Sequence, residues 1–541
     1  LKLIDDVDAQ KLRGGFYTPD GVVDACWKRV DELLNGANDV KVLEPSAGDG
    51  AFLRGLGRLR ATSRLRRSQI TCIELVESEA EASRSELVRA NLIGEVVTDS
   101  FFNWLLQERG PYNALVGNPP FIRYQFVPEA ERATAEWLLR TRGHDLQGVS
   151  NYWIAFVLLG LDQLKPGGVF SLVLPSELLS TVSAGQVRAE LIRNFTSLRV
   201  DLFPRDTFPD ILQDVLVLSG VRDSKPATRR VVEFSDHAVA AQREWKHTIE
   251  ASSRSWTGFL LSKDEWDAFQ EATRLPQFVP LKKVASLSVA IVTGANDYFT
   301  VDDLTLAQFG LSDWALPLLA RTSDSPGLIF TRSDHGNARE AGKKCWLLDF
   351  SAGKREPLLS QPTAIYISQG KSLGIHDRYK CRIREPWYRV PHIQRGSLMM
   401  TKRSHQHHRL ILNEAGVYTT DTIYRGEVRE EYRGRESDLI AGFHNSVTML
   451  AAETEGRTYG GGVLELVPSE ISRLIVPLVD TGKAIFALDG ISRNTGGQRD
   501  ADDRVIDATD LFLAKKVPGL NDLLPMLSAA RNRLRDRRFD G

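Results

Sequence analysis

The sequence predicts an α/β protein: a Rossmann-like, doubly wound sheet over residues 1–225, followed by a second domain of mixed α+β character over residues 226–541. Three observations carry this expectation. Short runs rich in Val, Ile and Leu alternate with helical segments through the first 225 residues. One of those runs passes through a glycine turn directly into a helix, "VLEPSAGDGAFL" at 42–53. From about residue 226 the alternation gives way to irregular spacing with more Gly, Trp and His and with acid-free basic stretches.

The β-forming runs are, in order, "VKVLEP", "QITCIELV", "GEVVTD", "NALVGN", "VFSLVLP" and "DVLVLSG", each closed by a turn or an acidic residue. Helical segments such as "AEASRSELVRANL" and "NYWIAFVLLGLDQLKPGG" lie between them, the latter stopped by Pro-Gly-Gly. A chain of 541 residues exceeds what one core supports, and 42% hydrophobic with 26% charged residues is a globular composition. The longest apolar run, "YWIAFVLLGL" at 152–161, is far short of the ~20 residues that cross a bilayer. With no charged, apolar and small-residue leader read at the start, a cytoplasmic protein that keeps off membranes is expected. Cys26, Cys72, Cys345 and Cys381 are scattered without a C-x-x-C pair, which fits neither a disulfide framework nor a zinc site, so no metal is expected. The net charge of −1 leaves nucleic-acid binding to be judged from how the charge is distributed.

Three strand ends describe a nucleoside pocket. Gly48 and Gly50 allow a tight turn and close backbone approach, but the spacing lacks the later glycine of the dinucleotide fingerprint and no G-x-x-x-x-G-K-S/T is present. A ligand without a pyrophosphate is favoured. Glu74 ends the second run, where a carboxylate can accept from both hydroxyls of a ribose; the competing reading is a surface glutamate beside Glu77 and Glu79. Asp99 ends the third, placed to accept from an adenine amino group. Glycine turn, Glu and Asp in this order resemble the layout of class I S-adenosylmethionine methyltransferases.

The loop "GNPPFIRY" at 117–124 follows the run "YNALV", and its prolines cannot continue a sheet ladder. Asn118 offers a side-chain carbonyl and Pro119 a backbone carbonyl, two acceptors that suit a target NH₂ group. An exocyclic amine on adenine is a poor nucleophile because its lone pair is delocalised into the ring. Accepting both hydrogens favours a pyramidal nitrogen whose lone pair points at a sulfonium methyl, while Phe121 stacks on the ring. A duplex hides that nitrogen, so the base must be flipped out.

At this point the sequence resembles the γ-class N6-adenine DNA methyltransferases of type II restriction-modification systems. The match rests on motif order over roughly residues 11–220: "GFYTPDGVVDACW", "VLEPSAGDGAFL", "IELVE", the Asp99 strand end, "NPPF", "NYWIAFVLLGLDQLKPGGVFSLVLPSELL" and "FPDILQDVLVL". The resemblance implies S-adenosyl-L-methionine as cofactor. Thr18 and Pro19 would contact its methionine part, Glu44, Ser46 and Gly48 its amino acid end, Glu74 its ribose and Asp99 its adenine, with Phe156 lining the adenine pocket. Asn118, Pro119 and Phe121 would hold the target adenine, and Phe208 would stack on its other face. Two departures stand out: Ser100 follows Asp99 where an aromatic is common, so Phe101 is the candidate for that place, and Phe121 stands where tyrosine is usual. On periodicity alone Phe156, with Trp153 and Leu159, reads as core; Phe208, before a strand, also fits a core aromatic.

Residues 386–413, "PWYRVPHIQRGSLMMTKRSHQHHRLILN", hold no acid, five Lys or Arg and four His. Interleaving with Trp387 and Tyr388 suits DNA contact by Arg395, Lys402, Arg403 and Arg409, against the alternative of a solvated basic face. His405, His407 and His408 lack ligand spacing around them, which favours phosphate contact over a metal. "RYKCRIREPWYRVP", "LILNEAGVYTTDT" and "YGGGVLELVPSEISRLIVP" resemble the target-recognition part of larger family members. Double-stranded DNA is the implied partner, met by a monomer, with a separate cognate restriction endonuclease as a further partner. Competing functions are N4-cytosine methylation, RNA-base or protein-glutamine methylation through the same loop, a DNA-binding module with a relic cofactor fold, and a fused nuclease, for which no P-D…(D/E)-x-K context is found.

Overall fold

The computed structural model describes residues 18–35, 39–59, 65, 68–107, 110–144, 151–203, 215–237, 243–350, 362–459, 461–494 and 498–539. Phe208 lies outside them. The chain divides into two compact units, Leu1–Asp264 with Arg457–Gly462 and Asp536–Gly541, and Glu265–Gly456 with Val463–Arg535.

The first unit is built on one nine-stranded sheet in the order β3-β2-β1-β4-β5-β7-β6-β8-β9. The strands are β1 (Lys41–Glu44), β2 (Gln69–Glu74), β3 (Ile93–Thr98), β4 (Tyr112–Gly117), β5 (Leu164–Pro175), β6 (Phe195–Leu202), β7 (Val215–Arg222), β8 (Arg229–Asp236) and β9 (Arg243–Glu250). β3, β2, β1, β4 and β5 run parallel. All six apolar runs of the sequence are strands. Period-2 alternation sorts them by size. Val42, Ile70, Cys72, Ala114, Val116, Val169, Val173 and Val217 point to one face, and Leu43, Ile73, Leu115, Phe170, Leu172, Leu174, Leu216 and Leu218 to the other.

Helices α1 (Asp20–Leu34) and α2 (Ala51–Leu59) cover the small-residue face with Val23, Trp27, Phe52 and Leu56, and Trp27 Nε1 donates to Phe52 O at 2.9 Å. α3 (Glu77–Arg89) follows β2, and the short α4 (Phe101–Trp104) follows β3. α5 (Glu129–Thr141) and α6 (Trp153–Asp162) supply the large-residue face. α6 is apolar all round and buried from Trp153 to Leu161, the signature of a helix with no solvent face.

Two features go beyond the expected doubly wound sheet over residues 1–225. β7 runs antiparallel between β5 and β6, and β8 and β9 extend the sheet to Glu250. β9, "REWKHTIE", alternates buried and exposed positions and so carries the polar residues Glu244, Lys246, Thr248 and Glu250 on every second position, which hides it among polar segments.

The second unit is mixed α+β. Its five-stranded sheet runs in the order Ala285–Val289, Ile423–Val428, Leu398–Thr401, Leu410–Asn413, Ile329–Phe330, beside a four-stranded sheet of Thr300–Val301, Trp346–Leu348, Ala315–Leu319 and Tyr418–Thr419. Helices Ala484–Arg493 and Gln498–Lys516 follow. Among the described residues no helix is long and apolar enough to cross a membrane.

Candidate active site

The strand order of the first unit reverses between β1 and β4: β2 and β3 lie to one side, β5 to the other. A crevice outside the carboxyl ends of the strands at such a switch point is where open α/β sheets take ligands. A cavity of about 520 Å³ opens there, within the range of small-molecule sites. Its lining comes from the ends of β1 (Glu44, Ser46, Gly48), β2 (Glu74, Leu75), β3 (Asp99, Ser100) and β4 (Asn118, Pro120), from Thr18, and from Phe101, Glu131, Tyr152 and Phe156.

The glycine turn is shaped by steric necessity. Gly48 has φ +54° and Gly50 φ +83°, and a Cβ on Gly50 would sit 3.1 Å from Glu86 Cβ. Ser83 Oγ donates to Gly48 O at 2.8 Å, holding the turn from α3. Glu74 accepts from Gly48 N (2.8 Å) through one oxygen and from Val76 N (2.9 Å) through the other, which fixes its carboxylate plane at the end of β2. Glu44 is fully buried and accepts from the Cys72 thiol at 3.3 Å. Burial pushes the Glu44 carboxyl well above the ordinary carboxylate range, and burial likewise keeps the Cys72 thiol protonated.

Asn118 is held from two sides. Its Nδ2 donates to Thr18 Oγ1 at 3.1 Å, and its backbone carbonyl accepts from Ser46 Oγ at 3.1 Å. With the amide nitrogen committed to Thr18, the side-chain oxygen is the acceptor half of the group. Pro119 and Phe121 continue the loop outside the cavity lining, with Phe121 half-buried against both sheet-face cores. Pro19 is the N-cap residue of α1, next to Thr18.

The far end of the cavity is aromatic. Phe156 is 6% exposed; it stacks on Phe101 at 5.3 Å between ring centroids and meets Phe102 and Tyr152 edge-on at 4.9 and 5.2 Å. It is therefore both core and wall, so the two readings of its spacing are not exclusive. Phe101 lies on the same wall, and Ser100 instead caps α4 by accepting from Phe102 N. Asp99 accepts from Ser100 N at 2.7 Å. Leu75, which follows the end of β2 and also lines the cavity, is 61% exposed.

Glu131 was not legible in the sequence. It accepts from Ser100 Oγ at 2.6 Å and from the Tyr152 hydroxyl, both through Oε1. Its position, 32 residues beyond Asp99 in a polar helix, carries no spacing signal, and only the fold brings it to the cavity.

The basic segment of the second unit needs correction. Arg409 is 5% exposed and its guanidinium donates to Ser325 O (3.1 Å) and Gly327 O (2.6 Å), so it is a buried brace and not a DNA contact. His407 and His408 are buried as well, the first against Arg535 and Asp503, the second on Thr401 O, which rules out phosphate contact by these two rings. Trp387 packs on Tyr298 and Phe299 in a core cluster. Arg395 and His405 are exposed and Lys402 is half-buried; Arg403 is exposed and paired with Glu465 at 2.7 Å. Among the described residues no group of His, Cys, Asp and Glu is arranged to hold a metal.

Two family models match the chain. One, described as Eco57I restriction-modification methylase, covers residues 64–208, and the other, described as Type II methyltransferase M.Eco57I, C-terminal domain, covers residues 253–510. The chain carries both parts of an Eco57I-type restriction-modification methylase. The type II methyltransferase M.AccI of Acinetobacter calcoaceticus is 22% identical over 483 residues, 86% of this chain and 86% of its own. M.XhoI of Xanthomonas vasicola is 23% identical over 518 residues, 86% of this chain and 91% of its own. In fold, the solved structure of the Type IIL restriction-modification enzyme MmeI in complex with DNA superposes with a TM-score of 0.56 and 12% identity, covering 99% of this chain and 78% of that one.

The Eco57I-type methylase has the class I fold and is a DNA methyltransferase that uses S-adenosylmethionine. The cavity fits that cofactor by a chemical criterion. Glu44 Oε1 is buried and has no hydrogen-bond partner among the described residues, an unmet acceptor of the kind that the ammonium of an amino acid end would satisfy.

Proposed function

We propose that this methylase transfers the methyl group to the N6 amino nitrogen of an adenine flipped out of duplex DNA, as the modification component of a restriction-modification system. The observation that carries the reading is the clamp on Asn118, whose amide is fixed by Thr18 and whose backbone is fixed by Ser46 at the edge of a cavity with three carboxylates at strand ends. The cofactor supplies an electrophilic methyl on a sulfonium sulfur. Everything else is done by this chain. Glu44, Ser46 and Gly48 bind the amino acid end, with Thr18 and Pro19 beside it; Glu74 takes the ribose hydroxyls; Asp99 and Phe156 take the purine. Asn118 Oδ1 and Pro119 O accept the two hydrogens of the target amine, which turns its lone pair out of the ring, and Phe121 and Phe208 hold the base. This is positioning and electrostatics, with no covalent base intermediate.

The first unit accordingly holds the chemistry and the second reads DNA, with Arg395, Lys402 and Arg403 as backbone contacts. The enzyme acts as a monomer in the cytoplasm, alongside a separate cognate endonuclease. The test is methylation of mixed-sequence duplex DNA with radiolabelled S-adenosylmethionine, followed by nucleoside analysis. Label in N6-methyldeoxyadenosine supports the reading. Label in N4-methyldeoxycytidine moves the same amine chemistry to the other base, and label only in RNA or protein overturns it.

A further inference from the structure

Glu131 stands at the purine end of the cavity with its two oxygens in different circumstances. Oε1 takes both hydroxyl donors, Ser100 Oγ and Tyr152 OH, while the residue lines the cavity and Oε2 has no hydrogen bond to any described residue. Ser100 directly follows Asp99, so the Ser100 bond draws the Glu131 carboxylate to the end of β3 where Asp99 stands. Tyr152 edge-packs Phe156, so the second bond ties the same carboxylate to the aromatic wall. Burial, reinforced by the bond to Glu131, raises the Tyr152 hydroxyl well above the ordinary phenol range, so it remains a donor. The hydroxyls therefore fix which oxygen is left over and which way it can serve: an ionised carboxylate only accepts.

We infer that Glu131 is a specificity-determining residue for the methyl donor, accepting together with Asp99 the two hydrogens of its 6-amino purine. A purine amine offers two N–H donors, and two carboxylates at one end of a pocket match them. A 6-oxo purine puts an acceptor oxygen where the amine stood, which neither carboxylate can bond, and its ring N–H lies one atom away from that position. The inference rests on the reading that the purine lies between Asp99 and Phe156.

The test measures binding of S-adenosylhomocysteine and of its 6-oxopurine (inosine) counterpart by calorimetry at pH 8 to the parent chain, Glu131→Gln, Glu131→Asp and Asp99→Asn. In Glu131→Gln the amide oxygen can keep the Ser100 and Tyr152 bonds, which turns the NH₂ toward the purine. Affinity for the adenine ligand should fall about 10- to 100-fold while affinity for the inosine ligand rises, so the preference narrows or reverses. Glu131→Asp, which withdraws the carboxylate by one methylene, should weaken the adenine ligand without helping the inosine one, and serves if the Gln variant fails to fold. A residue that only held the fold together would move both ligands by the same factor, and that result overturns the inference. If Asp99→Asn changes the preference and neither Glu131 variant does, Glu131 is not the selector although the purine lies where proposed. If none of the three changes it, the placement of the purine itself is wrong.

Discussion

Arg409→Ala separates a buried brace from a DNA contact, because the two roles predict opposite results. The guanidinium of Arg409 lies in the second unit with 5% of the residue exposed, giving one bond of 3.1 Å to Ser325 O, one of 2.6 Å to Gly327 O and a long one of 3.5 Å to Thr322 O. Burial pulls its pKa below the ordinary arginine value, with Asp502 and Asp489 opposing that pull, so the charge is retained at a cost. Truncation removes two short charge-assisted bonds worth ~1.5–3 kcal/mol each and strips the Ser325 carbonyl of its donor, while Gly327 O keeps Ser325 Oγ at 3.0 Å. The net loss should be about 3–5 kcal/mol, a large share of the 5–15 kcal/mol that typically holds a domain together. Urea unfolding followed by circular dichroism should show the transition of the affected unit at much lower denaturant, while the fraction still folded at low temperature binds duplex DNA with the parent's salt dependence. A variant as stable as the parent that binds every duplex more weakly, with the salt slope lower by about one, would refute the brace and restore the contact.

Asn118→Ala should lower the single-turnover methylation rate by about 100-fold or more while cofactor affinity stays within a few-fold, since the lost acceptor serves mainly the transition state; parallel losses of rate and cofactor binding would contradict that. Glu44→Gln should weaken cofactor binding, and the parent's affinity should fall as pH drops, because a carboxyl whose pKa is raised by burial takes up a proton that the ligand's ammonium must displace; binding titrations across pH check whether the Gln variant loses this dependence. Asp502, pushed up to about 7 by burial, keeps its proton in the folded chain where the unfolded chain releases it near pH ~4, so stability is lost as pH rises between those values and the loss is complete above pH 7. Asp502→Asn should accordingly be more stable than the parent at pH 8, on the order of 2–4 kcal/mol, with little difference at pH 4 in urea melts. Arg395→Ala and Lys402→Ala should weaken binding to cognate and scrambled duplexes alike in salt titrations; unchanged binding by both would leave this stretch as a solvated face.

The first unit was legible because its signals are local. A buried parallel strand reads as an apolar run, and a glycine turn between strand and helix reads as a ligand turn; thus Glu44, Gly48, Glu74, Asp99 and Asn118, each at a strand end, lie on one cavity. Strand direction is not local, so the reversal of β7 had no trace in "DVLVLSG". Half-buried strands with polar residues on alternate positions, such as "REWKHTIE", resemble surface segments. In the second unit, composition gave charge without burial. Arg409, His407 and His408 count as basic residues in the sequence but spend their hydrogen bonds inside the fold, whereas Arg395 in the same stretch is exposed. Glu131 shows the converse, an ordinary helical glutamate made special by partners that only the tertiary structure brings to it.

The two walls of the cavity differ in what they tolerate. Phe156 is locked into the aromatic core with Phe101, Phe102 and Tyr152, so trimming it to make room for a bulkier donor analogue would cost about 3–5 kcal/mol of folding free energy. Leu75 faces the same cavity from its rim at 61% exposure, where a change to alanine stays within about 0.5 kcal/mol. Any reshaping of this enzyme toward enlarged methyl-donor analogues is thus channelled to one side: the pocket can grow outward past the end of β2, whereas inward growth trades directly against the stability of the sheet it rests on.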